Sequence, residues 1–260
     1  MKRLLLFLGT LFIVGIAIFL LNKQNKNNNV LPAAVVDITS TPTSTPALKQ
    51  SILLNIEGTP TRISWIIVNP EQVELYSNLK DEYLSEQIKV DKSCQILVNG
   101  GFYSTENIHL GLFISNFETI SQSTKSPTRN GFLWINDNNI SIANSFPDIN
   151  PRIALQTGPL LVKNDEALSL AINNDEPSRR IVAGITDDNK LIFLAFYRDS
   201  AEYEGPLLGQ LPKAINLLEK QTGINILDAI NLDGGKHSVF ISNYVRLNEL
   251  EHIGSYFCVK

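Results

Sequence analysis

Cysteine, methionine and histidine are scarce in this sequence, which contains two, one and three of them among 260 residues. No cysteines and histidines are spaced as in a zinc site. The 22 lysines and arginines are outnumbered by 26 aspartates and glutamates, and they form neither a basic run nor a stripe interleaved with aromatics. Proteins that bind a nucleic-acid backbone need such positive patches, so the sequence argues against nucleic acid as a partner. Balanced charge and 43% hydrophobic residues instead favour a globular domain with a substantial core.

Long hydrophobic runs are also rare, and the one clear example lies at residues 4–21. A transmembrane helix needs about 17–25 apolar residues, so this run meets the lower limit. No small-x-small cleavage motif follows it directly, and no cysteine is placed to take a lipid. We therefore expect residues 1–21 to form an uncleaved signal anchor, with a buried core helix as the alternative. Basic residues on its two sides are nearly balanced, and the free amino terminus favours the inside, so we expect a membrane-anchored domain on the extracytoplasmic side.

Residues 22–50 are rich in Asn, Ser, Thr and Pro, a composition that cannot bury a core and that predicts a flexible linker. From residue 51 onward, short apolar segments separated by turn signals dominate. Because strands outnumber helices, we predict one α+β domain over residues 51–260, with a mainly antiparallel or mixed β-sheet and few helices.

Strands are predicted at residues 52–56, 62–68, 73–76, 95–98, 111–115, 131–135, 140–143, 153–156, 160–162, 181–186, 191–197, 229–232, 239–242 and 256–259. A brief helix is expected after residue 76. One clear helix is predicted at residues 212–222, because Pro212 suits a first turn and Gly223 suits a C-cap.

The segments 180–185 and 191–197 are apolar on both faces, which predicts a central β-hairpin. If Asp188 and Asn189 form a two-residue loop, counting back along both strands places Arg180 opposite Tyr197. The aspartates of the loop are expected to be turn formers.

Arg180, Arg198 and Asp199 then gather at the open end of this hairpin. An arginine at a strand end is suited to bidentate capture of a phosphate or a carboxylate. The alternative is a surface ion pair between Arg180 and a neighbour such as Asp199.

Two strand-like runs end in an amide or carboxylate residue followed by two glycines: Asn99-Gly100-Gly101 and Asp233-Gly234-Gly235. Such a side chain can be held rigidly, while the glycines allow a ligand to approach the backbone N–H groups. Asn-Gly and Asp-Gly are also common hairpin turns, so a single copy would be a plain turn more often than a site. A third strand–glycine–strand element, Gln156-Thr157-Gly158-Pro159, could line a pocket or form an ordinary turn.

Taken in order, these elements resemble the phosphodiester glycosidase domain family. The resemblance spans about residue 52 to residue 260. Seven residues fall on matching motif positions: Asn99, Gln156, Gly158, Arg180, Asp233, Gly234 and Gly235. The sequence departs from the family pattern at Lys236 and His237, where small residues are usual, and at Tyr197-Arg198-Asp199, where an Asp-Gly turn often occurs.

The resemblance implies hydrolysis of a sugar-1-phosphodiester, with a glycan or sugar-phosphate substrate in the cell envelope or outside the cell. Asp233 would stabilise or attack the anomeric carbon or activate water, and Arg180 with the glycine amides would hold the phosphate. His237 would protonate the leaving group or contact the phosphate. Asn99 would orient a sugar hydroxyl or Asp233.

The other predicted substrate-binding residues are Gly100, Gly101, Gln156, Gly158, Gly234, Gly235 and Asp199. Of the remaining histidines, His109 is expected near the pocket and His252 at the surface. Asp233 with other oxygens could hold a divalent cation, but no ligand spacing requires one, so the metal and the cofactor stay unknown.

Three questions stay open at this point. Cys94 and Cys258 either form one disulfide or remain two buried thiols. The main rival to an enzyme is a non-catalytic glycan- or phosphate-binding module with the same fold. A structural envelope protein without a saturable ligand is a third class.

Overall fold

The computed structural model of the protein describes residues 50–260. The predicted signal anchor and nearly all of the predicted linker lie outside the described residues. Within the range 50–260, no helix is both long and apolar enough to cross a membrane.

Three antiparallel sheets and two α-helices make up the described domain. The strands, in chain order, are β1 (Ser51–Ile56), β2 (Thr59–Val68), β3 (Val73–Ser77), β4 (Ile96–Asn99), β5 (Phe113–Ser115), β6 (Glu118–Ser121), β7 (Gly131–Asn136), β8 (Asn139–Ala143), β9 (Ile153–Thr157), β10 (Leu160–Lys163), β11 (Glu166–Ala167), β12 (Arg180–Thr186), β13 (Leu191–Tyr197), β14 (Ile226–Asn231), β15 (Phe240–Ile241), β16 (Arg246–Leu247) and β17 (Ser255–Val259). The helices are α1 (Ser85–Lys92) and α2 (Leu211–Thr222), and short 3₁₀ turns occupy Pro70–Gln72, Leu208–Gln210 and Gly235–His237. The predicted fold, a mainly antiparallel single domain with few helices, is confirmed.

The first sheet has the strand order β1-β2-β13-β12-β14-β10-β11, the second β16-β15-β4-β17-β3 and the third β6-β5-β9-β7-β8. As predicted, the hairpin of β12 and β13 lies in the centre of the first sheet. Successive side chains of its strands point to opposite faces of the sheet. Ile181 and Ala183 face the core between the sheets and Val182 faces α2, so both faces are buried.

The register of that hairpin differs by one residue from the prediction. Arg180 pairs with Phe196 rather than with Tyr197. The loop has three residues instead of two, because Asn189 adopts a positive φ of 58° and the Thr186 N–H donates to the Lys190 carbonyl at 3.0 Å. A three-residue loop with a left-handed last residue is a common hairpin form.

A large apolar core lies between the inner faces of the three sheets. On the outer face of the first sheet, α2 buries Leu211, Ile215 and Leu218. The helix ends at Gly223, whose φ of 74° and N–H bond to the Glu219 carbonyl confirm the predicted C-cap. The first sheet is therefore packed on both faces, against the core on one side and against α2 on the other.

Cys94 and Cys258 form a disulfide, with their Cα atoms 5.3 Å apart. Cys94 lies just before β4 and Cys258 lies on β17, which pairs with β4 in the second sheet. The bond therefore links two neighbouring strands. This resolves the choice that the sequence left open, in favour of the bridge.

Candidate active site

One strand from each sheet ends at the same place in the molecule. In the first sheet β14 ends at Asn231, whose carbonyl oxygen accepts hydrogen bonds from the Thr157 hydroxyl (2.8 Å) and the Gly158 N–H (3.1 Å) at the end of β9 in the third sheet. In the second sheet β4 ends at Asn99, whose side-chain amide donates to the Asp233 carbonyl at 2.9 Å. The three predicted glycine-containing elements therefore meet at one junction.

The Asn99 side chain acts as a clamp at this junction. Its Nδ2 donates to the carbonyl oxygens of Asp233 and Gly100, and its Oδ1 accepts the Val239 N–H at 2.9 Å. The Asp233 N–H in turn donates to the Gly100 carbonyl at 3.1 Å. Because Asn99 is buried and both amide hydrogens are used internally, it orients Asp233 through the backbone, which is one of the two roles predicted for it.

The Asp233 carboxylate is only partly paired. Its Oδ1 accepts the Gly234 N–H at 2.8 Å, and its Oδ2 has no hydrogen-bond partner among residues 50–260. Burial raises the pKa of Asp233 to about 7, while the Gly234 N–H and the His237 charge act in the opposite direction. A carboxyl group near half ionisation at neutral pH can take up or release a proton during a reaction.

Arg180 lies beside the second glycine pair. A Cβ atom at Gly234 would stand 3.8 Å from Arg180 Cδ and only 2.7 Å from the Arg179 carbonyl oxygen, so a glycine is required for this close approach. The carboxylate and the guanidinium predicted to act together thus come from adjacent segments.

The Arg180 guanidinium is held on one side only. Its Nη2 donates to the Glu176 carbonyl at 2.6 Å and to Asp175 Oδ1 at 3.2 Å, and its Nε lies 3.4 Å from the Pro206 carbonyl. Nη1 has no hydrogen-bond partner within the described part of the chain, and the side chain is 15% exposed. Burial lowers the pKa of Arg180 and the Asp175 charge raises it. This leaves one positively charged N–H edge for an anionic ligand.

Asp199 is engaged elsewhere. It forms an ion pair with Arg62 on β2, with its side chain 48% exposed, while Arg198 pairs with Glu204. The alternative considered for Arg180, a surface ion pair with Asp199, is therefore wrong, because Arg180 pairs with Asp175 instead.

His237 stands on the other side of Asp233, in the 3₁₀ turn that follows the glycines. Its Nδ1 lies 2.9 Å from the Tyr103 hydroxyl and 3.1 Å from the His252 carbonyl oxygen. Its Nε2 lies 3.4 Å from Glu251 Oε2. The Tyr103 hydroxyl itself donates to the His252 carbonyl at 2.8 Å, so its oxygen is left to accept a hydrogen bond from an N–H at Nδ1. The His237 ring therefore has a hydroxyl group on one side and a carboxylate on the other.

Negative charge surrounds Tyr103. Burial raises the pKa of Tyr103 to about 12, and the charges of Asp233 and Glu251 add to this effect. Glu251 also binds Lys236, with Nζ 3.2 Å from Oε1. The two residues that depart from the family pattern, Lys236 and His237, thus share one carboxylate.

His252 differs from the prediction. It is not a surface residue, since its Nε2 is buried without a partner among residues 50–260 and its ring packs 5.2 Å from that of Tyr103. His109 is buried, and its place near the pocket stays a prediction. It stacks on Phe113 at 3.9 Å and contacts the Ser77 hydroxyl at 2.8 Å, and burial lowers the pKa of His109 to about 4.

The amides of both glycine pairs are already hydrogen-bonded within the protein. Gly100 and Gly101 donate to the carbonyl and hydroxyl oxygens of Ser255 at 2.7 and 3.1 Å. Gly235 donates to the Arg179 carbonyl at 2.9 Å. In this state these glycines fix the backbone around Asp233, and their predicted contacts with phosphate stay a prediction.

Gln156 is likewise saturated by the backbone. Its Oε1 accepts the N–H groups of Leu112 and Thr124, and its Nε2 donates to the carbonyls of Thr124 and Arg129. Three of these hydrogen bonds, to Thr124 and Arg129, fix the loop of residues 122–130 on the third sheet. Gly158, with a φ of 148°, packs against this loop, because a Cβ atom there would lie 2.7 Å from the Thr128 carbonyl oxygen.

Sequence reasoning missed three residues that shape the site. Arg179 is fully buried, donates to the hydroxyl and carbonyl oxygens of Ser238 and lies 4.8 Å from the Tyr203 ring, and burial lowers the pKa of Arg179 to about 10. Ser255 and Glu251 were missed because nothing in their neighbourhood marks them. For Arg179 a signal existed, since it is adjacent to Arg180.

Among residues 50–260, no group of three or more His, Cys, Asp or Glu side chains is arranged to hold a metal ion. The structure does contain a carboxyl group whose pKa burial raises to about 7, the neighbouring Gly234 against which the Arg180 side chain packs, and the imidazole of His237 in the turn that follows. It can exchange a proton, stabilise positive charge and hold an anion.

The phosphodiester glycosidase family model matches residues 92–259. No curated protein matches the sequence significantly. The catalytic domain of zebrafish N-acetylglucosamine-1-phosphodiester alpha-N-acetylglucosaminidase, solved as auto-inhibited by its pro-peptide, has a TM-score of 0.62 and 18% identity, over 80% of this chain and 81% of that one.

Two bacterial structures share the fold at lower identity. A hypothetical protein from Synechocystis has a TM-score of 0.62 and 12% identity, and the match covers 81% of this chain and 61% of that one. A protein from Burkholderia pseudomallei has a TM-score of 0.53 and 9% identity, over 79% of this chain and 75% of that one. The predicted family resemblance is confirmed by the family match, which spans more than half of the sequence. The chain therefore belongs to the phosphodiester glycosidase family.

Proposed function

We propose that the protein hydrolyses a sugar-1-phosphodiester and releases the free sugar and a phosphomonoester. The observation that supports this most is that Asp233, whose pKa burial raises to about 7, is followed by Gly234, against which the side chain of the partly unpaired Arg180 packs. A glycosyl phosphate needs both groups, because positive charge develops on the sugar carbon and negative charge on the departing phosphate.

In the reaction, the bond between the anomeric carbon and the bridging oxygen breaks, and water supplies the new hydroxyl. The ionised Asp233, with Oδ2 free, either attacks the anomeric carbon or takes a proton from the attacking water. Arg180 holds the phosphate through Nη1. A phosphate is already a good leaving group, so a strong general acid is less important than in ordinary glycosidases.

His237 supplies the second proton-transfer group. Its ring lies between Tyr103 and Glu251. In the reaction Nε2 exchanges its 3.4 Å contact with Glu251 for one with the substrate, and it donates a hydrogen bond to the phosphate or a proton to the bridging oxygen as that oxygen leaves. The His237 charge also lowers the pKa of Asp233 and so favours the carboxylate that the reaction needs.

We place the substrate in a cell-envelope or extracellular glycan and the protein at the membrane, on the extracytoplasmic side. Two observations support this location. The hydrophobic run at residues 4–21 predicts an anchor, and the Cys94–Cys258 disulfide is of a kind that persists in oxidising compartments.

The test is to incubate the protein with a panel of sugar-1-phosphodiesters, with and without EDTA, and to measure free sugar. We expect turnover of at least one compound, and its loss in Asp233→Asn. Asp188→Asn is the matched control, because Asp188 is an exposed aspartate at the tip of the β12–β13 hairpin, the opposite end from Arg180.

The rival, a non-catalytic binding module, has one observation in its favour: Lys236 and His237 replace small residues and pair with Glu251. It predicts saturable binding of the same compounds without release of sugar from any of them. Turnover by Asp233→Asn at the wild-type rate would instead contradict the assignment of Asp233.

A further inference from the structure

A cavity of about 680 Å³ lies on the outer face of the third sheet, beneath the loop of residues 122–130. Its volume is in the range of roughly 300–1,000 Å³ that is common for small-molecule sites. The floor includes Phe132 on β7 and Gln156 on β9, which are direct cross-strand partners and so share one face of the sheet. None of the residues predicted to be catalytic lines this cavity.

The cavity is preformed, because its loop is fixed at several points. Gln156 makes the four hydrogen bonds to Leu112, Thr124 and Arg129 described above. Asn130 Oδ1 accepts the Leu160 N–H at 3.0 Å, which ties the end of the loop to the first sheet. A fixed polar wall loses little conformational entropy when a ligand binds.

The charged groups in the lining are all positive. Lys125 and Arg129 contribute to the wall, and no aspartate or glutamate does. Neither cation has a carboxylate within ion-pair distance in the described range 50–260. In addition, Arg129 Nε is buried without an acceptor in that range. The charge of Arg129 is therefore uncompensated within that range, and an anionic ligand that binds the guanidinium would supply the missing partner.

Neutral polar groups and an aromatic group complete the cavity wall. Ser123, Ser126 and Asn144 offer hydroxyl and amide groups. Phe132 is only partly buried and packs against Phe146, with ring centroids 5.7 Å apart. An apolar ring beside hydroxyl and amide groups suits a ligand that has both an apolar face and many hydroxyls, as a sugar does.

The cavity is connected to the candidate active site through Gly158. On one side, Gly158 packs against the Thr128 carbonyl of the cavity loop. On the other side, its N–H and carbonyl groups are hydrogen-bonded to Asn231, which precedes Asp233 by two residues. Because Gly158 and Asn231 are buried, they fix the position of the cavity loop relative to the segment that carries Asp233, and a chain-like substrate would meet the two sites at a constant spacing.

We propose that this cavity binds an anionic sugar unit of the substrate chain, a glycosyl phosphate next to the one that is cleaved. Lys125 and Arg129 bind its phosphate, and Phe132 with the loop hydroxyls binds its ring. This deepens the proposed function, on which it rests, since it makes the preferred substrate a polymer with repeated phosphodiesters rather than an isolated sugar phosphodiester.

The test measures binding, so that it does not depend on turnover. The Asp233→Asn protein is titrated calorimetrically with trisaccharides of glucose, mannose or N-acetylglucosamine, each joined through phosphodiesters or through neutral glycosidic bonds. The same titrations are made with Asp233→Asn carrying Lys125→Ala or Arg129→Gln. Asp233→Asn with Lys89→Ala is the matched control, because Lys89 lies on α1 and its loss changes the net charge equally.

We expect at least one phosphodiester trisaccharide to bind at least tenfold more tightly than its neutral counterpart. Lys125→Ala and Arg129→Gln should each weaken that binding by about tenfold or more, as expected for loss of a charge-assisted hydrogen bond, whereas Lys89→Ala should not. Equal affinity for the two kinds of trisaccharide, or equal weakening by Lys89→Ala, would overturn the proposal. If wild-type protein fails to cleave a trisaccharide that binds in this way, the proposed hydrolysis fails and the binding site stands.

Discussion

The side-chain amide of Asn99 donates to the carbonyl oxygen of Asp233 at 2.9 Å, across the boundary between two sheets. The same amide binds the Gly100 carbonyl and the Val239 N–H. Asn99 lies at the end of β4 and Asp233 follows β14, so one side chain fixes the relative position of the two glycine-containing elements.

Replacing Asn99 with leucine should therefore lower the free energy of unfolding. It should also lower the kcat of the protein that remains folded. The change keeps the number and branching of the side-chain heavy atoms but leaves buried backbone groups without partners, at a cost of about 2–5 kcal/mol in the free energy of unfolding. Chemical denaturation and kcat, measured well below the transition, check the two effects. Asn216→Leu, on the partly exposed side of α2, should change neither; a comparable loss there would show that the effect is not specific to the clamp.

Activity should rise with pH through an apparent pKa near 7, because Asp233 acts as a carboxylate and burial raises its pKa to about 7. His237→Gln removes a charge that lowers this pKa, so the rising limb should shift to higher pH. The measurement is kcat/KM between pH 5 and 9 for wild type, His237→Gln and Asp188→Asn. A limb that stays in place in His237→Gln would contradict the coupling between His237 and Asp233.

Asp233→Asn should stabilise the folded protein at alkaline pH. The folded pKa of Asp233, about 7, lies above the unfolded value near 3.9, so the wild type loses stability as the pH rises from about 4 through 7. The asparagine variant avoids this loss, which amounts to at most about 4 kcal/mol. In chemical denaturation at pH 5, 6, 7 and 8, the free energy of unfolding of Asp233→Asn should exceed that of wild type by an amount that grows with pH. The difference in the free energy of unfolding between Asp188→Asn and wild type should not change over this pH range. Lys190 lowers the pKa of Asp188, so this carboxylate is ionised in both the folded and the unfolded protein throughout the range.

Tyr103→Phe should lower kcat by about tenfold or more with a smaller effect on KM, since it removes the hydroxyl that lies 2.9 Å from His237 Nδ1 but keeps the ring. Kinetics of Tyr103→Phe, His237→Gln and the double variant form a mutant cycle. If Tyr103 acts through His237, adding Tyr103→Phe to His237→Gln should cost nothing more. Fully additive losses would mean that Tyr103 acts independently.

Loss of the disulfide should lower the free energy of unfolding by about 2–5 kcal/mol. We expect a loss near the upper end of this range, because Cys94 and Cys258 are 164 residues apart and the bond closes a long loop. The measurement is denaturation of wild type with and without reductant, compared with the Cys94→Ser/Cys258→Ser variant. Reductant should have no effect on that variant, and an equal stability of all three samples would contradict a stabilising role for the bond.

Local sequence patterns were sufficient for the elements that bury apolar residues in regular order. The β12–β13 hairpin and α2 were predicted because continuous apolar strands, a first-turn proline and a C-cap glycine are local signals. The short strands β6, β11 and β16 were missed. They are only two to four residues long and carry exposed residues, so they have no apolar alternation to detect.

Long-range contacts explain most of what the sequence could not predict in the site. Asn99 and Asp233 were predicted because each follows an apolar run and precedes two glycines, and Arg180 because it begins a strand of the central hairpin. Glu251 was not, because its contact with His237 depends on how the chain returns after β16. Arg180 was correctly placed at a strand end, but its carboxylate partner was not, since Asp175 comes from an irregular loop whose path no local pattern determines.

Because three strand ends meet at the candidate active site, activity requires all three sheets to be intact. Asn231, Asn99 and Thr157 belong to different sheets, so a form in which any one sheet has come apart can retain most of its secondary structure and still lack a working catalytic centre. On heating, catalysis should therefore disappear before the circular dichroism of the strands does.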